Sequence, residues 1–267
     1  MTDPYLTSIG TAAATSISLL GRDLAGDLMG QVSFGELAFW LVALRRPSAG
    51  ELRVFEAVLV ALADHGFTPS AIAARLTLTG APESVQGALA AGLLGGGSRF
   101  LGVTEDCGRF LAAALAAHDG PLPDDDAGWD AIAERAVRAQ RAAGRLVPGL
   151  GHPLHKDGDP RTPVLLRIAA EAGTRGPHLR LFEAVGRVHP AILGRTLPLN
   201  GAGVCGAALA DLGFEPDILR GFALLARTAG LVGHLAEEMR RPAGPGIYQE
   251  VDRAVRYLPP GDAAPGG

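Results

Sequence analysis

Apolar residues recur every three or four positions over most of the chain, a spacing typical of amphipathic helices packed around a core. Capping residues and glycine or proline breakers separate one apolar run from the next. The pattern predicts a series of helices over residues 34–44, 51–63, 70–78, 83–94, 104–117, 129–143, 162–172, 179–193, 204–212 and 216–240.

Two of the predicted helices begin at recognisable capping residues. Ser33 precedes the helix 34–44, and Ser48 with Glu51 three residues later has the form of a capping box. The helix 51–63 is apolar on nearly all sides, so we expect it to be buried.

The two ends of the chain lack this periodicity. Residues 1–33 are rich in Ser, Thr and Gly, and residues 11–20 are compatible with a short helix or an extended arm. The tail 258–267 is almost entirely Pro, Gly, Asp and Ala, a composition that predicts disorder. No basic segment followed by an apolar run opens the chain, and no uninterrupted apolar stretch reaches about 18 residues. We therefore expect a soluble, unprocessed protein with no membrane partner.

Composition turns these helices into a fold class. Hydrophobic residues make up 48% of the chain, and many are Ala and Leu, which favours helix over strand. We therefore predict an all-α protein. The net charge of −4 argues against a nucleic-acid partner, because phosphate binding needs a dense positive patch. Cys107 and Cys205 share no metal-ligand spacing, so we expect two buried thiols, no metal site and a cytoplasmic location.

The segment 147–161 differs from the rest of the chain because it concentrates Gly, Pro, His and charge between two amphipathic helices. Gly149-Leu150-Gly151 permits positive φ angles and the close approach of a ligand. An acid/base group and cations follow within ten residues, from His152, His155, Lys156, Asp159 and Arg161. The segment is therefore either an anion-binding loop at a helix start or a solvated, charged turn.

Two further polar residues stand out. His65 follows a core helix, where a histidine can also simply complement the helix dipole. Arg227 lies in a strongly apolar helix, where a buried guanidinium needs a carboxylate. That carboxylate could come from a ligand or from the protein itself.

Motifs in order along the chain resemble the citrate synthase superfamily, most closely its citryl-CoA lyase branch, including the C-terminal module of ATP-citrate lyase. Each motif is weak alone, and their order makes the resemblance specific. The matching pieces are Ala63-Asp64-His65-Gly66, Gly92-Leu93-Leu94 with Gly97-Ser98-Arg99-Phe100, Gly151-His152, Asp159-Pro160-Arg161, Asn200 with Gly203, and the run from Ala226 to His234.

The resemblance implies a role for each of these groups. His152 would hydrogen-bond the oxygen at the carbon where the C–C bond forms or breaks, and is the implied catalytic residue. The substrate carboxylates would bind His65, Arg161 and Arg227. Coenzyme A, as a thioester substrate, would be held by Leu150, Gly151 and Lys156.

The sequence departs from the family at two positions. The general-base aspartate, two residues after Asn200, is replaced by Ala202, and the histidine that helps enolise the thioester in synthases is replaced by Phe100. A lyase that splits citryl-CoA, or a related 3-hydroxyacyl-CoA acid, is therefore favoured, with His152 as a base at the hydroxyl. The departing enolate would be protonated by water or by a substitute acid such as Glu105 or Asp106. The alternatives are a condensing synthase of the citrate synthase type and a non-catalytic protein that binds coenzyme A or tricarboxylates.

The resemblance also implies an architecture. A large helical domain would comprise residues 1–100 and 199–267, and a small domain, 101–198, would close over the ligand. Superfamily members are homodimers, and the apolar helices at 34–63 and 83–94 would supply the interface.

Overall fold

The computed structural model describes residues 5–260, and helices dominate them. The all-α fold class is confirmed. The helices are α1 Phe34–Ala43, α2 Ala49–Ala63, α3 Pro69–Gly80, α4 Val85–Leu94, α5 Val103–Ala116, α6 Asp126–Ala142, α7 Arg161–Glu171, α8 Pro177–Leu193, α9 Gly201–Asp211, α10 Leu219–Arg240 and α11 Gly244–Ala254. A single 3₁₀ turn, Pro216–Ile218, precedes α10.

The N-terminal segment forms a small antiparallel sheet, so the extended alternative was right and the short helix was wrong. Strands β1 Gly10–Ala12, β2 Ile17–Leu19 and β3 Arg22–Asp23 lie in the order β1-β2-β3. Between β2 and β3, Leu20 and Gly21 both have positive φ, at 53° and 74°. Such a pair is typical of tight hairpin turns. A short π-helical turn, Leu24–Leu28, follows.

The predicted caps are present. Ser33 Oγ accepts a hydrogen bond from Glu36 N at 3.0 Å. In the capping box, Ser48 N donates to Glu51 Oε2 at 2.8 Å, and Glu51 N donates to Ser48 Oγ at 3.3 Å. These bonds satisfy N–H groups that have no partner within the helix.

Helix α2 is amphipathic, which corrects the expectation that it is buried on nearly all sides. Val54, Phe55, Val58 and Leu62 are buried, whereas Val60 is 76% exposed. Apolar residues therefore lie on two faces of α2, one packed in the core and one at the surface of the chain.

The chain divides into two compact units. The first comprises residues 1–62 and 101–223. In it, α6 packs on α8, and α5 and α8 pack on α9. Four phenylalanines, from α1, α2, the turn after α9 and α10, form an aromatic cluster with ring centroids 4.5–5.9 Å apart: Phe39, Phe55, Phe214 and Phe222.

The second unit comprises residues 63–100 and 224–267. Helix α3 packs on α4 and on α11. Its core is built largely from small and aliphatic residues: Ala71, Ala74, Leu78, Ala88, Leu231 and Leu235. Helix α11 was not among the helices expected from the sequence, and it begins with Gly244-Pro245-Gly246, residue types that usually interrupt helices. Proline is tolerated in the first turn of a helix, where its missing N–H would have had no partner.

Several sequence predictions remain predictions. The division into a large domain, 1–100 with 199–267, and a small domain, 101–198, stays a prediction. The predicted disordered tail lies mostly outside the described residues, as does the start of the chain up to residue 4. Among the described residues, the stretch Pro216–Arg240 is long and apolar enough to cross a membrane. The core helix of a soluble protein meets the same criterion, and 44% of the apolar 18-residue segment within Pro216–Arg240 is buried.

Candidate functional site

The loop before α7 is tied to the start of α9 by backbone hydrogen bonds. Gly151 N donates to Pro198 O at 2.8 Å, and Asn200 N donates to Gly149 O at 2.9 Å. Gly149 and Gly151 have φ angles of 86° and 82°, which only glycine adopts without strain. The predicted positive φ angles are thus confirmed, and they let the chain reverse beside α9.

Asn200 joins the two segments through its side chain. Its Nδ2 donates to Gly151 O at 2.8 Å, while its Oδ1 accepts from Gly203 N at 2.8 Å and caps α9. Asn200 is 6% exposed. Both ends of one amide are therefore used, one on the loop and one on the helix.

The loop and the helix approach each other closely because both carry glycine. A Cβ on Gly203 would lie 2.6 Å from Gly149 Cα, and a Cβ on Gly149 would lie 2.9 Å from Cys107 Sγ. Cys107 and Cys205 are buried, as predicted. Burial raises the pKa of both thiols, that of Cys205 to about 12, so these residues act as core rather than as nucleophiles.

Asp159 and Arg161 form a bidentate ion pair at the start of α7. Arg161 Nε lies 2.9 Å from Asp159 Oδ1, and Arg161 Nη2 lies 2.7 Å from Oδ2. The same Oδ2 accepts from Gly201 N at 2.7 Å, so the carboxylate also holds the first residue of α9. Burial opposes ionisation of Asp159, but the bonds from Arg161 and Gly201 outweigh it and hold its pKa well below the usual range.

This pair limits what Arg161 offers a ligand. A third donor, Nη1, is used on Ala61 O at 3.1 Å, and the side chain is 21% exposed. A substrate carboxylate would have to be held by the remaining N–H groups. The predicted carboxylate-binding role of Arg161 stays a prediction, and its role in positioning α9 is visible in the structure.

The hydrogen bonds of His152 define its tautomer. Its Nδ1 lies 3.1 Å from Leu154 N and 3.0 Å from His155 N. Both backbone groups are donors, so Nδ1 must accept, and the ring proton is assigned to Nε2. His152 therefore presents a hydrogen-bond donor at Nε2. A general base at Nε2 would need the proton on Nδ1, facing two N–H groups, so the geometry argues against the base role expected from sequence.

The predicted coenzyme A residues lie on the same loop. Lys156 is exposed and is the only lysine in the sequence. The N–H groups of Leu150 and Gly151 already donate to Val147 O and Pro198 O. Coenzyme A would therefore have to meet this loop through carbonyl oxygens and side chains. Its binding here stays a prediction.

The position of the missing aspartate is well defined. Ala202 is the second residue of α9, between Gly201 and Gly203, whose N–H groups are held by Asp159 and Asn200. Of the substitute acids, Glu105 is bound by Arg109 at 2.8 Å and by Arg220 at 2.9 Å.

Asp106 is the better candidate for a proton donor. Burial raises its pKa although the charges of Arg220 and Arg109 oppose this, and the charge of Glu105 acts in the same direction as burial. Phe100, at the position of the synthase histidine, is 47% exposed in the loop that follows α4.

His65 and Arg227 lie in the second unit. His65 occupies the turn between α2 and α3, and is partly buried. Arg227 is 5% exposed, and its Nη1 lies 3.4 Å from Oγ1 of Thr68, which caps α3. The structure thus brings Arg227 to the turn that carries His65.

Comparison with known proteins supports the resemblance. Residues 9–247 match the family described as citrate synthase, C-terminal domain. The chain belongs to the citrate synthase family. Its fold is similar to that of citryl-CoA lyase from Hydrogenobacter thermophilus, with a TM-score of 0.83 and 30% identity, over 98% of this chain and 96% of that one.

Longer proteins contain a similar module. ATP citrate lyase from Methanosaeta concilii, solved in complex with (3S)-citryl-CoA, has a TM-score of 0.75 and 22% identity over 97% of this chain and 42% of that one. A probable ATP-citrate synthase of Caenorhabditis elegans is 23% identical over 96% of this chain. This member of the citrate synthase family spans 24% of that relative's length.

Sequence reasoning missed the function of Asp159, which it placed in a motif without a role. The available signal was an aspartate two residues before an arginine at a helix start, where a carboxylate can meet both the guanidinium and free helix N–H groups. It also assigned no specific contacts to Asp64, Arg75 and His234.

We predict that Asp159→Asn destabilises the protein by about 3 kcal/mol at pH 7, near the lower end for a buried ion pair because Arg161 keeps some exposure. Urea denaturation measures this. Asp157→Asn, on the exposed part of the same loop, is the matched control and should change stability by less than about 0.5 kcal/mol.

The difference between Asp159→Asn and the wild type should also depend on pH. The folded pKa of Asp159 lies below its ordinary value of 3.8. Its contribution is therefore complete above pH 3.8 and is lost as the pH falls further, towards the folded pKa. A difference that does not shrink in acid would contradict the ion-pair interpretation.

Proposed function

We propose that this protein is a citryl-CoA lyase-like enzyme that cleaves citryl-CoA, or a related 3-hydroxyacyl-CoA acid, to acetyl-CoA and oxaloacetate or another oxo-acid. The observation that carries the proposal is the tautomer of His152: its Nδ1 accepts from two backbone N–H groups, so its Nε2 carries the ring proton, in a loop that Asn200 ties to α9. The similarity to a citryl-CoA lyase over nearly the full length of both chains supports it.

A hydrogen-bond donor suits this reaction. Cleavage breaks the C–C bond between the carbinol carbon and the thioester α-carbon, and the hydroxyl oxygen becomes the carbonyl oxygen of the oxo-acid. Nε2–H of His152 would hold that oxygen as its charge changes, in the manner of an oxyanion donor. The hydroxyl loses one proton and the acetyl-CoA enolate gains one, so the overall reaction consumes none.

The remaining predicted residues would bind the two ends of the substrate. His65, Arg161 and Arg227 would hold the carboxylates, since hydrogen bonds between charged donors and carboxylates are stronger than those between neutral groups. Lys156 would meet the phosphates of coenzyme A, and Leu150 and Gly151 its adenine end. The ATP citrate lyase solved with (3S)-citryl-CoA has a similar fold.

Ala202 favours a second candidate, a non-catalytic protein that binds coenzyme A or tricarboxylates. Without a carboxylate at this position, proton transfer at the enolate carbon would depend on water or on a substitute such as Asp106, and loss of a general base costs about 10²–10⁴-fold in rate. The same absence disfavours a citrate synthase-type condensing enzyme, which must remove that proton from acetyl-CoA.

We further propose a cytoplasmic homodimer. Two buried, free thiols are typical of a reducing compartment. Large apolar side chains on the helices expected to form the interface are exposed in the single chain, among them Phe34 at 72%, Val60 at 76% and Leu94 at 87%. Such exposure is typical of subunit interfaces.

We predict that the purified protein releases oxaloacetate from citryl-CoA, and that His152→Ala lowers kcat/KM by about 10²–10³-fold. A coupled assay for oxaloacetate measures both. His152→Gln keeps an N–H donor and should retain more activity than His152→Ala. Equal losses in both would contradict the donor role.

His118→Ala, which changes a histidine of the loop after α5, is the control and should leave the rate unchanged. Coenzyme A binding without any cleavage would sink the lyase and favour the binding protein.

We predict that Ala202→Asp raises the rate of cleavage or of condensation by about 10²–10⁴-fold, because it restores a carboxylate at the enolate carbon. The variant should fold normally, since an acidic residue in the first turn of α9 complements the helix dipole. Ala202→Asn is the isosteric control. Equal rates for the two variants would show that the missing carboxylate does not limit the reaction.

We predict that sedimentation equilibrium gives twice the 27.4 kDa mass of the chain, and that Leu94→Glu shifts the equilibrium towards monomer. Leu146→Glu, at a residue that is 85% exposed but lies outside the expected interface helices, should leave the mass unchanged. A wild-type protein that is monomeric at micromolar concentration would contradict the dimer.

A further inference from the structure

The turn that carries His65 is built around the carboxylate of Asp64. Asp64 Oδ2 accepts a hydrogen bond from Gly66 N at 2.8 Å, and the carboxylate also receives the backbone N–H of His65. Gly66 has a φ of 71°, which lets the chain fold back over the carboxylate. Burial opposes ionisation, but these bonds and His234 lower the pKa of Asp64.

His234, on α10, holds this carboxylate from the other side. Its Nε2 lies 2.9 Å from Asp64 Oδ1. Its Nδ1 lies 3.0 Å from Arg75 Nε and 2.8 Å from Arg75 Nη2. An arginine can only donate, so Nδ1 accepts and the ring proton is on Nε2, directed at Asp64. His234 has no freedom to exchange tautomers while Arg75 is in place.

Arg75 is itself fixed by two glutamates and an aromatic ring. It is 1% exposed, its Nη1 lies 2.8 Å from Glu238 Oε2, and its Nη2 bonds Glu237. The ring of Phe67 lies 4.6 Å from its guanidinium carbon. Glu238 Oε1 in turn accepts from Gly244 N at 2.7 Å, at the start of α11.

The backbone of the turn is also seated on α10. A Cβ on Gly230 would lie 2.0 Å from the carbonyl oxygen of Ala63, so the glycine allows the two backbones to touch. Asp64 follows Ala63 directly. Backbone contact and the His234 bond therefore restrain the same short segment.

We propose that Asp64 and His234 are positioning residues for His65, and that Arg75 fixes the proton of His234 on the nitrogen that faces Asp64. The proposal rests on the proposed function, in which His65 binds a substrate carboxylate. In this proposal Asp64, His234 and Arg75 do not contact the substrate. It sets the orientation of the backbone from which His65 projects, because Asp64 binds the N–H groups of His65 and Gly66.

The experiment uses two substitutions that leave Arg75 satisfied. Asp64→Asn keeps the shape of the side chain, but its amide cannot accept from His234 and both backbone N–H groups. His234→Asn keeps an acceptor where Nδ1 faces Arg75, and removes the donor to Asp64. Asp252→Asn, on the exposed face of α11, is the matched control.

The first measurement is amide hydrogen exchange in the full chain without ligand. We expect the N–H groups of His65 and Gly66 to exchange at least tenfold faster in Asp64→Asn, and several-fold faster in His234→Asn. The control should match the wild type. Unchanged exchange at these two amides in both variants would overturn the proposal, whatever the protein binds.

The second measurement is the affinity for oxaloacetate and citrate by calorimetry, with coenzyme A as a control ligand. We expect Kd for the carboxylates to rise about tenfold in both variants, equivalent to about 1.4 kcal/mol, and Kd for coenzyme A to stay the same. His65→Ala should weaken carboxylate binding at least as much. Carboxylate affinity that is lost in His65→Ala but unchanged in both variants would also overturn the proposal.

The two measurements separate the possible failures. If the wild type binds neither carboxylate while exchange at His65 and Gly66 responds as expected, the proposed function fails and the positioning of the turn stands. If His65→Ala binds carboxylates normally, the role of His65 as a ligand fails, and the part of the proposal that depends on it is overturned.

Discussion

The amide of Asn200 constrains the whole candidate site of the first unit. It donates to the carbonyl of Gly151 with one end and accepts from the N–H of Gly203, in the first turn of α9, with the other. Because the loop and the helix share one small side chain, neither can shift without breaking a buried hydrogen bond, which costs about 1–3 kcal/mol. The bridge therefore ties the loop that carries His152 to the first turn of α9, which contains Ala202.

Most helices could be predicted from the sequence because their periodicity and caps act locally. Ser33 and the Ser48–Glu51 pair form the expected bonds. Prediction failed where local signals conflict with the fold. Gly244-Pro245-Gly246 reads as a breaker, yet α11 begins there because Glu238 binds Gly244 N. The apolar residues of α2 likewise do not reveal which of its faces is packed.

Motifs identified the candidate residues of the site, but not what those residues do to one another. A sequence names Asp159 and Arg161 as neighbours, whereas only coordinates reveal a bidentate pair that also holds Gly201. The tautomer of His152 depends on two backbone N–H groups that its own loop turns back towards the ring. Such roles depend on backbone geometry, which the residue types alone do not reveal.

The exposure of Lys156 has a practical consequence. Every other basic side chain of the lysine or arginine type is an arginine, so the ε-amino group of Lys156 is chemically unique among the side chains. Once the α-amino group, which reacts first because of its lower pKa, has been blocked, an amine-selective reagent would attach a fluorophore or a spin label to this loop without any engineered cysteine, while Cys107 and Cys205 stay shielded in the core. The native sequence thus provides its own reporter for movements of the segment that carries His152.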